Sequence, residues 1–358
     1  MHLWFKAILI PIYVLILYYI TWRFFVIFHN NNTPSFILLL AITIILTLTL
    51  TYKWKNKTIN QMWTITGWFS GTVIIIMIIL LIEHLISNWY KINPRIIVWV
   101  LIIIISLWIY YSLHTTITEL NINSKKISKN IKILLVSDIH TNNVLSTYYF
   151  DKIKNIIKKE IPDFVIFAWD LIDEGNEQYA NYFSFFKSIK KIPIFAVIWN
   201  HDIIWDTEAI KNIPKISWIN LLNNESLNYY YGKNNNEYIQ IIWVVDKKIR
   251  WKNSIEDILD KIKLENKKNV FTILITHKPI KLEKFKNYPI DLEVAWHTHY
   301  GQIYGIRKIV GWIYDYAYWE HKCGDRTAFV SQWIWTWRFL NLRLWTQSEM
   351  VIINLIRK

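Results

Sequence analysis

Glycine is what this sequence lacks most. Average usage is about 7% of residues, which would be roughly 25 here; the chain of 358 residues has 8, against 21 tryptophans. Glycine and tryptophan together make an ordinary glycine total. Cysteine is nearly absent as well. A single one, Cys323, excludes a disulfide framework and argues against a disulfide-dependent secreted fold. No Arg-rich, aromatic-interleaved patch accompanies the excess of 41 Lys+Arg over 27 Asp+Glu. The +14 charge therefore reads as a chain-wide bias toward lysine, isoleucine and asparagine, and no nucleic-acid partner is expected. No solenoid-type repeat is present.

Apolar residues, by contrast, make up 53% of the chain, and its length suits two domains. Residues 1–116 read as an all-α transmembrane region. Four apolar stretches, Leu3–Ile20, Phe36–Tyr52, Trp63–Ile86 and Ile96–Leu113, each approach the ~20 residues needed to cross a bilayer. The first is a signal peptide or an uncleaved span; three more spans without a small-residue cleavage signal favour the latter. Glu83 and His84, near the end of the third stretch, read as functional intramembrane groups or as residues at a wet interface, the boundary position favouring the interface. Lys6, Lys53, Lys55, Lys57, Lys125, Lys126, Lys129 and Lys132 fall on one side, Arg23, Lys91 and Arg95 on the other. The positive-inside rule then makes this a multi-pass protein of the cell (inner) membrane, with both termini and the C-terminal domain cytoplasmic.

Residues 117–358 read as a soluble α/β domain. Strands are expected at Ile131–Ser137, Phe164–Ala168, Ile194–Ile198, Ile239–Val245, Phe271–Thr276 and Leu292–Ala295, and helices at Tyr148–Lys159 and Tyr179–Lys190. Strands alternating with helices imply a layered fold. The last third, Ile303–Ile356, is richer in strand-like segments and turns.

Polar residues able to bind metal follow five strands in turn. Asp138-Ile139-His140 follows the first and Asp170 the second. Asn200-His201-Asp202 follows the third, His277 a later one, and His297-Thr298-His299 the last. Open α/β folds place ligands at the carboxyl ends of strands. Each stretch alone has a plain explanation, Asp as a helix N-cap or Asn-His-Asp as a turn; all five in order are hard to reach by chance. Carboxylate, imidazole and one amide together suit Mn, Fe, Zn or a mixed pair.

These stretches resemble the calcineurin-like metallophosphoesterases, whose pattern is D-x-H, G-D, G-N-H-D, H and G-H-x-H. The bacterial membrane-associated branch is closer still: its last motif, G-H-T-H-x-G-Q, is matched by His297-Thr298-His299-Tyr300-Gly301-Gln302. Its closing S-x-G-I-G-T and R-L-G-T-x-x-E segment is matched by Val330–Thr336 and Arg343–Glu349. The resemblance covers about 120–358 and implies a four-layer α-β-β-α sandwich hydrolysing a phosphodiester, pyrophosphate or phosphomonoester. It further implies that Asp138, His140 and His299 hold one divalent ion and Asn200, His277 and His297 a second, with Asp170 bridging them. Two ions about 3.5–4 Å apart acidify a bridging water and clamp the phosphate. By the same resemblance His201 faces the substrate as a catalytic group, stabilising charge or protonating the leaving oxygen, and Asp202 orients it. A domain tied to the cytoplasmic leaflet points to a lipid head-group ester or pyrophosphate, with cyclic nucleotides, nucleic acids and phosphoproteins as other candidates.

The sequence departs from the family in one systematic way. The glycines before Asp170, Asn200 and His297 are written Trp169, Trp199 and Trp296, and others are written Trp218, Trp243, Trp333, Trp335 and Trp345. Glycine belongs in such turns because a positive φ, or close backbone approach to metal and phosphate, leaves no room for a Cβ. Drift would not choose the same replacement each time. The expectation is that most of these tryptophans are UGA codons that the organism reads as glycine. Real tryptophans would put indoles beside the ions and make the domain an inactive membrane sensor or scaffold. Smaller features get plain readings: Asp173 a loop residue, Lys278 a solvated lysine, Asp206 and Glu208 solvated acids, and His321 with Cys323 a metal-like spacing lacking further partners.

Overall fold

The structure, a computed structural model, describes residues 16, 19, 20, 22, 23, 26, 27, 75–87, 89–137, 146–168, 179–189, 191–197, 207–222, 224–232, 237–244, 255–262, 269–298, 307–332, 343 and 346–358. The chain divides into two units, Met1–Ser112 with Trp337–Arg343, and Leu113–Thr336 with Leu344–Lys358.

Before residue 114 two helices are described along their length, α1 (Ile75–Ser87) and α2 (Pro94–Leu113), and residues 16, 19, 20, 22, 23, 26 and 27 are helical as well. Asn93 caps α2: its Oδ1 accepts from the Arg95 N–H at 2.9 Å, and Pro94 occupies the first helical position, where no donor is needed. Among the described residues α2 alone is long and apolar enough to cross a membrane. It covers the fourth expected span and begins at Pro94 rather than Ile96. Its buried residues, Ile97, Leu101, Trp108 and Ser112, recur at helical spacing as one narrow stripe. Ile96, Trp99, Ile103 and Tyr110 are exposed. The second expected span lies outside the described residues; the first is described at 16, 19 and 20, and the third from Ile75 onward.

The expected wet position of Glu83 is corrected. Its carboxylate accepts a forked pair from Arg23, from Nε at 2.7 Å and Nη2 at 3.0 Å, and both side chains are 8% exposed. Arg23 Nη2 also donates to Ser87 Oγ at 2.8 Å, and the Tyr19 hydroxyl lies 3.2 Å from His84 Nδ1. Two charges leave solvent together only when paired and hydrogen-bonded, and this partner is 60 positions away in sequence.

In chain order the second unit runs β1 (Thr115–Ser124), β2 (Ile131–Ser137), α3 (Ser146–Glu160), β3 (Phe164–Ala168), α4 (Tyr179–Ser184) continued by a 3-10 turn (Phe185–Ile189), β4 (Ile194–Val197), α5 (Thr207–Ser217), β5 (Ile219–Leu222), β6 (Ser226–Tyr231), β7 (Glu237–Val244), α6 (Ile255–Lys261), β8 (Phe271–Thr276), a second 3-10 turn (Leu282–Phe285), β9 (Leu292–Ala295), α7 (Arg307–Ile313), β10 (Trp319–Cys323), β11 (Arg326–Val330) and β12 (Ser348–Arg357). The strands form two six-stranded sheets, ordered β1-β12-β2-β3-β4-β5 and β10-β11-β9-β8-β7-β6. In the first, β2 to β5 are parallel. In the second, β7, β8, β9 and β11 are parallel. Gly324, at φ +60°, opens the two-residue turn of the β10–β11 hairpin, where a type II′ turn requires a positive φ.

Period-two alternation decides the layers. Ile133, Leu135, Ile166 and Val197 of the first sheet share one core with Ile241, Ile273, Ile275 and Val294 of the second. The intervening residues face outward. Leu134, Val136, Val165 and Phe167 pack on Phe150, Ile153 and Ile157 of α3. Ile242 and Leu274 pack on Leu259 of α6 and on Leu282 and Phe285. A helical layer thus covers the outer face of each sheet. Strands buried on both faces explain the nearly continuous apolar runs.

Candidate metal centre

The parallel arrangement determines where the chemistry gathers. β2, β3 and β4 are neighbours running in one direction, and Asp138, Asp170 and Asn200 follow their carboxyl ends in sequence. These three, with His140, His201, Asp202 and His299, lie outside the described residues. β8 and β9 are likewise parallel neighbours, and His277 after β8 and Trp296, His297 and Thr298 after β9 are described.

His277 and His297 come together there. Their ring centroids are 4.2 Å apart at an interplanar angle of 53°. His277 is buried and His297 half-buried. The backbone ties the two loops: the His277 carbonyl accepts from the Trp296 N–H at 3.3 Å and the His297 N–H at 3.0 Å. Thr298, between the histidines of the motif, donates its hydroxyl to the Ala317 carbonyl and so fastens the loop to the segment before β10. The Tyr314 ring lies 5.8 Å from that of His297. Two imidazoles at this spacing can turn nitrogen lone pairs toward a common cation, and neutral imidazole suits the transition metals the motif calls for. Among the described residues no set of three or more His, Cys, Asp and Glu side chains forms a metal site.

Two of the tryptophans written at expected glycine positions are accommodated inward. Trp296 and Trp243 are fully buried in the inter-sheet core, stacked at 6.4 Å and 7°. The Trp296 ring also meets His277 edge to face at 6.4 Å. Neither has a left-handed φ, so a positive φ is not what glycine would supply at these two positions. Trp218 and Trp319 do have one, at 61° and 73°; Ile161 (45°) and Asn224 (50°) are the other non-glycine residues that do, among those described. Trp218 follows α5, and its N–H donates to the Pro214 carbonyl at 3.3 Å, an ending that favours glycine.

The closing segment explains its own pattern. Glu349 on β12 accepts from Ser331 Oγ at 2.9 Å and the Gln332 N–H at 2.8 Å, and the Thr118 hydroxyl of β1 donates to its other oxygen. The Ser331 N–H donates to the Ala295 carbonyl at 2.9 Å, one residue before Trp296. The two ends of the motif are therefore one bonded unit.

Sequence reasoning passed over Glu293. It is fully buried on β9, accepts from Thr276 Oγ1 at 2.8 Å and the Ile280 N–H at 2.9 Å, and burial pushes its carboxyl up to about 8. A lone glutamate in an apolar strand is the signal that could have found it. His321 stacks on Tyr316 at 4.3 Å and its Nε2 lies 3.0 Å from the Tyr318 carbonyl, which gives it a structural role beside Cys323.

The sequence profile of the calcineurin-like phosphoesterases matches residues 131–309, half of the chain. An uncharacterized metallophosphoesterase of Helicobacter pylori is 26% identical over 245 residues, covering 68% of this chain and 64% of the relative's length. The uncharacterized metallophosphoesterase Cj0846 of Campylobacter jejuni is 25% identical over 275 residues, 74% of this chain and 71% of that protein. Among solved structures, the calcineurin-like phosphoesterase YfkN of Bacillus subtilis aligns with a TM-score of 0.33 at 14% identity, over 48% of this chain and 72% of its own. The chain belongs to the calcineurin-like phosphoesterase family.

Proposed function

We propose that the C-terminal unit is a metal-dependent hydrolase of phosphoric esters. The observation that carries this reading is the pairing of His277 and His297 at the ends of adjacent parallel strands, locked through the His277 carbonyl. Family membership supports the use of divalent metal. His277 and His297, with Asn200, would hold one ion; Asp138, His140 and His299 would hold another, and the two oxygens of Asp170 would reach both. When bound, such ions supply Lewis acidity and a water that ionises near neutral pH. His201 would stabilise the transition-state charge or protonate the leaving oxygen, and Asp202 would orient it. In the test, the full chain hydrolyses bis(p-nitrophenyl) phosphate with added Mn and loses that activity to a chelator. Activity indifferent to the chelator would overturn the reading.

In this reading glycine stands at 169, 199 and 296, as the family resemblance implies, where the backbone comes close to the ions. We read most tryptophans here as UGA codons decoded as glycine. The two tryptophans at left-handed φ support this, since that backbone costs a residue with a Cβ about 1–2 kcal/mol. UGG at codons 169, 199 and 296 of the coding DNA would sink it. The second reading, an inactive sensor or scaffold, is favoured by the Trp296 indole packed against His277 and holds if those codons are UGG.

The reading also places the enzyme at the inner membrane as a multi-pass protein, with the catalytic unit cytoplasmic. Support comes from α2, where four residues of 20 are buried and Ile96, Val98, Trp99, Val100, Ile102 and Ile103 are exposed. In α1, Ile78, Leu81, Ile82 and Leu85 are exposed as well. Apolar exposure on this scale suits lipid better than water. The substrate that fits such a location is a lipid-linked phosphate ester or pyrophosphate.

A further inference from the structure

Glu293 occupies a position where an apolar residue would be expected. Its neighbours in sequence, Leu292 and Val294, belong to the inter-sheet core. Alternation sends Glu293 to the outer face of the second sheet. There it stands in register with Leu274 of β8 and Ala328 of β11, both members of the apolar cluster with Ile242, Leu282 and Phe285. A carboxyl group in such surroundings is costly without donors. The donors it has come from one short stretch. Thr276 Oγ1 at 2.8 Å and the Ile280 N–H at 2.9 Å both reach Oε1, while Oε2 makes no hydrogen bond among the described residues. Thr276 and Ile280 bracket His277-Lys278-Pro279. One oxygen thus pins both ends of the turn that carries His277, and the His277 carbonyl in turn receives the N–H groups of Trp296 and His297.

We infer that Glu293 is a positioning residue for the metal centre: through Oε1 it holds the Thr276–Ile280 turn, and so the orientation of His277, from beneath the sheet. An imidazole binds metal through a lone pair in the ring plane, so its loop must be held at a fixed angle. Outer-shell groups that do this are worth about 10–100-fold in metal affinity. Burial raises the carboxyl, and two donors on Oε1, with no ion pair among the described residues, hold it in place. The apolar neighbours also distinguish this from a merely structural role, because a leucine would serve packing at least as well.

The inference rests on His277 being a metal ligand, and the experiment separates the two claims. Mn(II) binding to the full chain in detergent is titrated for the wild type, Glu293→Leu, Thr276→Val, Glu293→Gln and His277→Ala, with thermal unfolding of each metal-free protein alongside. Glu293→Leu and Thr276→Val are expected to raise the Mn dissociation constant about tenfold or more without lowering the unfolding temperature, while Glu293→Gln, which keeps an acceptor oxygen, stays within about threefold. Wild-type affinity in both Glu293→Leu and Thr276→Val, with binding lost in His277→Ala, overturns the positioning role and leaves the ligand standing. Unchanged affinity in His277→Ala overturns both. If Glu293→Leu does not fold, Thr276→Val decides, since it removes one donor and keeps the shape.

Discussion

The two sheets of the C-terminal unit follow one plan, six strands with four parallel and helices outside, yet they differ beneath their loops. The outer face of the first sheet is apolar throughout its centre: Leu134, Val136, Val165, Phe167, Ile194 and Ala196. The outer face of the second buries Gln240, Thr272, Thr276 and Glu293 among its aliphatic residues. The residues that follow the strands differ too. Of the proposed metal ligands, Asp138, His140, Asp170 and Asn200 follow the first sheet's strands, and only histidines follow β8 and β9. A carboxylate holds a cation by charge over a range of angles. A neutral imidazole holds it by one directed lone pair, and its loop must be fixed from below. The polar face of the second sheet supplies that fixing.

The largest effect expected from this contrast lies in the proposed ligands. Asp170→Asn and His277→Ala should each lower Mn-dependent turnover by more than about a hundredfold, the upper end of what outer-shell changes cost, with Mn no longer retained after desalting. A variant that keeps both metal and turnover removes that residue from the centre. His201→Ala sharpens the contrast between holding metal and moving protons. Turnover should fall by about 10²–10⁴-fold while Mn content stays at the wild-type value, and full activity would refute its role.

A smaller effect distinguishes the sheets by pH. The Glu293 carboxyl is raised from 4.5 to about 8, so between those values the folded state binds more protons than the unfolded one. The stability it contributes is complete below the unfolded value and is lost as pH rises through the folded one. Unfolding temperature should therefore decline more steeply from about pH 5 to about pH 8 in the wild type than in Glu293→Gln. Parallel curves would show that Glu293 does not titrate in this range. The smallest effect concerns neither sheet face: Trp218→Gly, at φ 61° and largely exposed, should stabilise the fold by about 1 kcal/mol, read as a higher unfolding temperature. A loss of stability there would weaken the reading of that tryptophan as a glycine codon.

Much of this was legible in the sequence. β2, β3, β8 and β9 have the bounds that their apolar runs suggest, because strands covered on both faces must be apolar at nearly every position. β1 was missed: Thr115–Ser124 alternates polar residues, and it is a strand because β12, more than two hundred residues later, pairs with it from Thr115↔Ser348 onward. The helix expected at Tyr179–Lys190 closes as a 3-10 turn over Phe185–Ile189. The candidate ligands were legible as polar residues after strands. Glu293 and Arg23 were not, since a glutamate or an arginine reads as solvated until the fold shows what lies around it.

By itself, the sequence determined the family and the order of the strands that precede the motif residues, and it raised the expectation of glycine at several tryptophan positions. These follow from local patterns, hydrophobic period and residue chemistry at fixed offsets. Only the tertiary structure decided that His277 and His297 meet, that Glu83 is paired with Arg23, and that Glu293 lies dry beneath the turn of His277. Each of these joins segments distant in the chain, and burial and pairing across such distances exist only once the layers have packed.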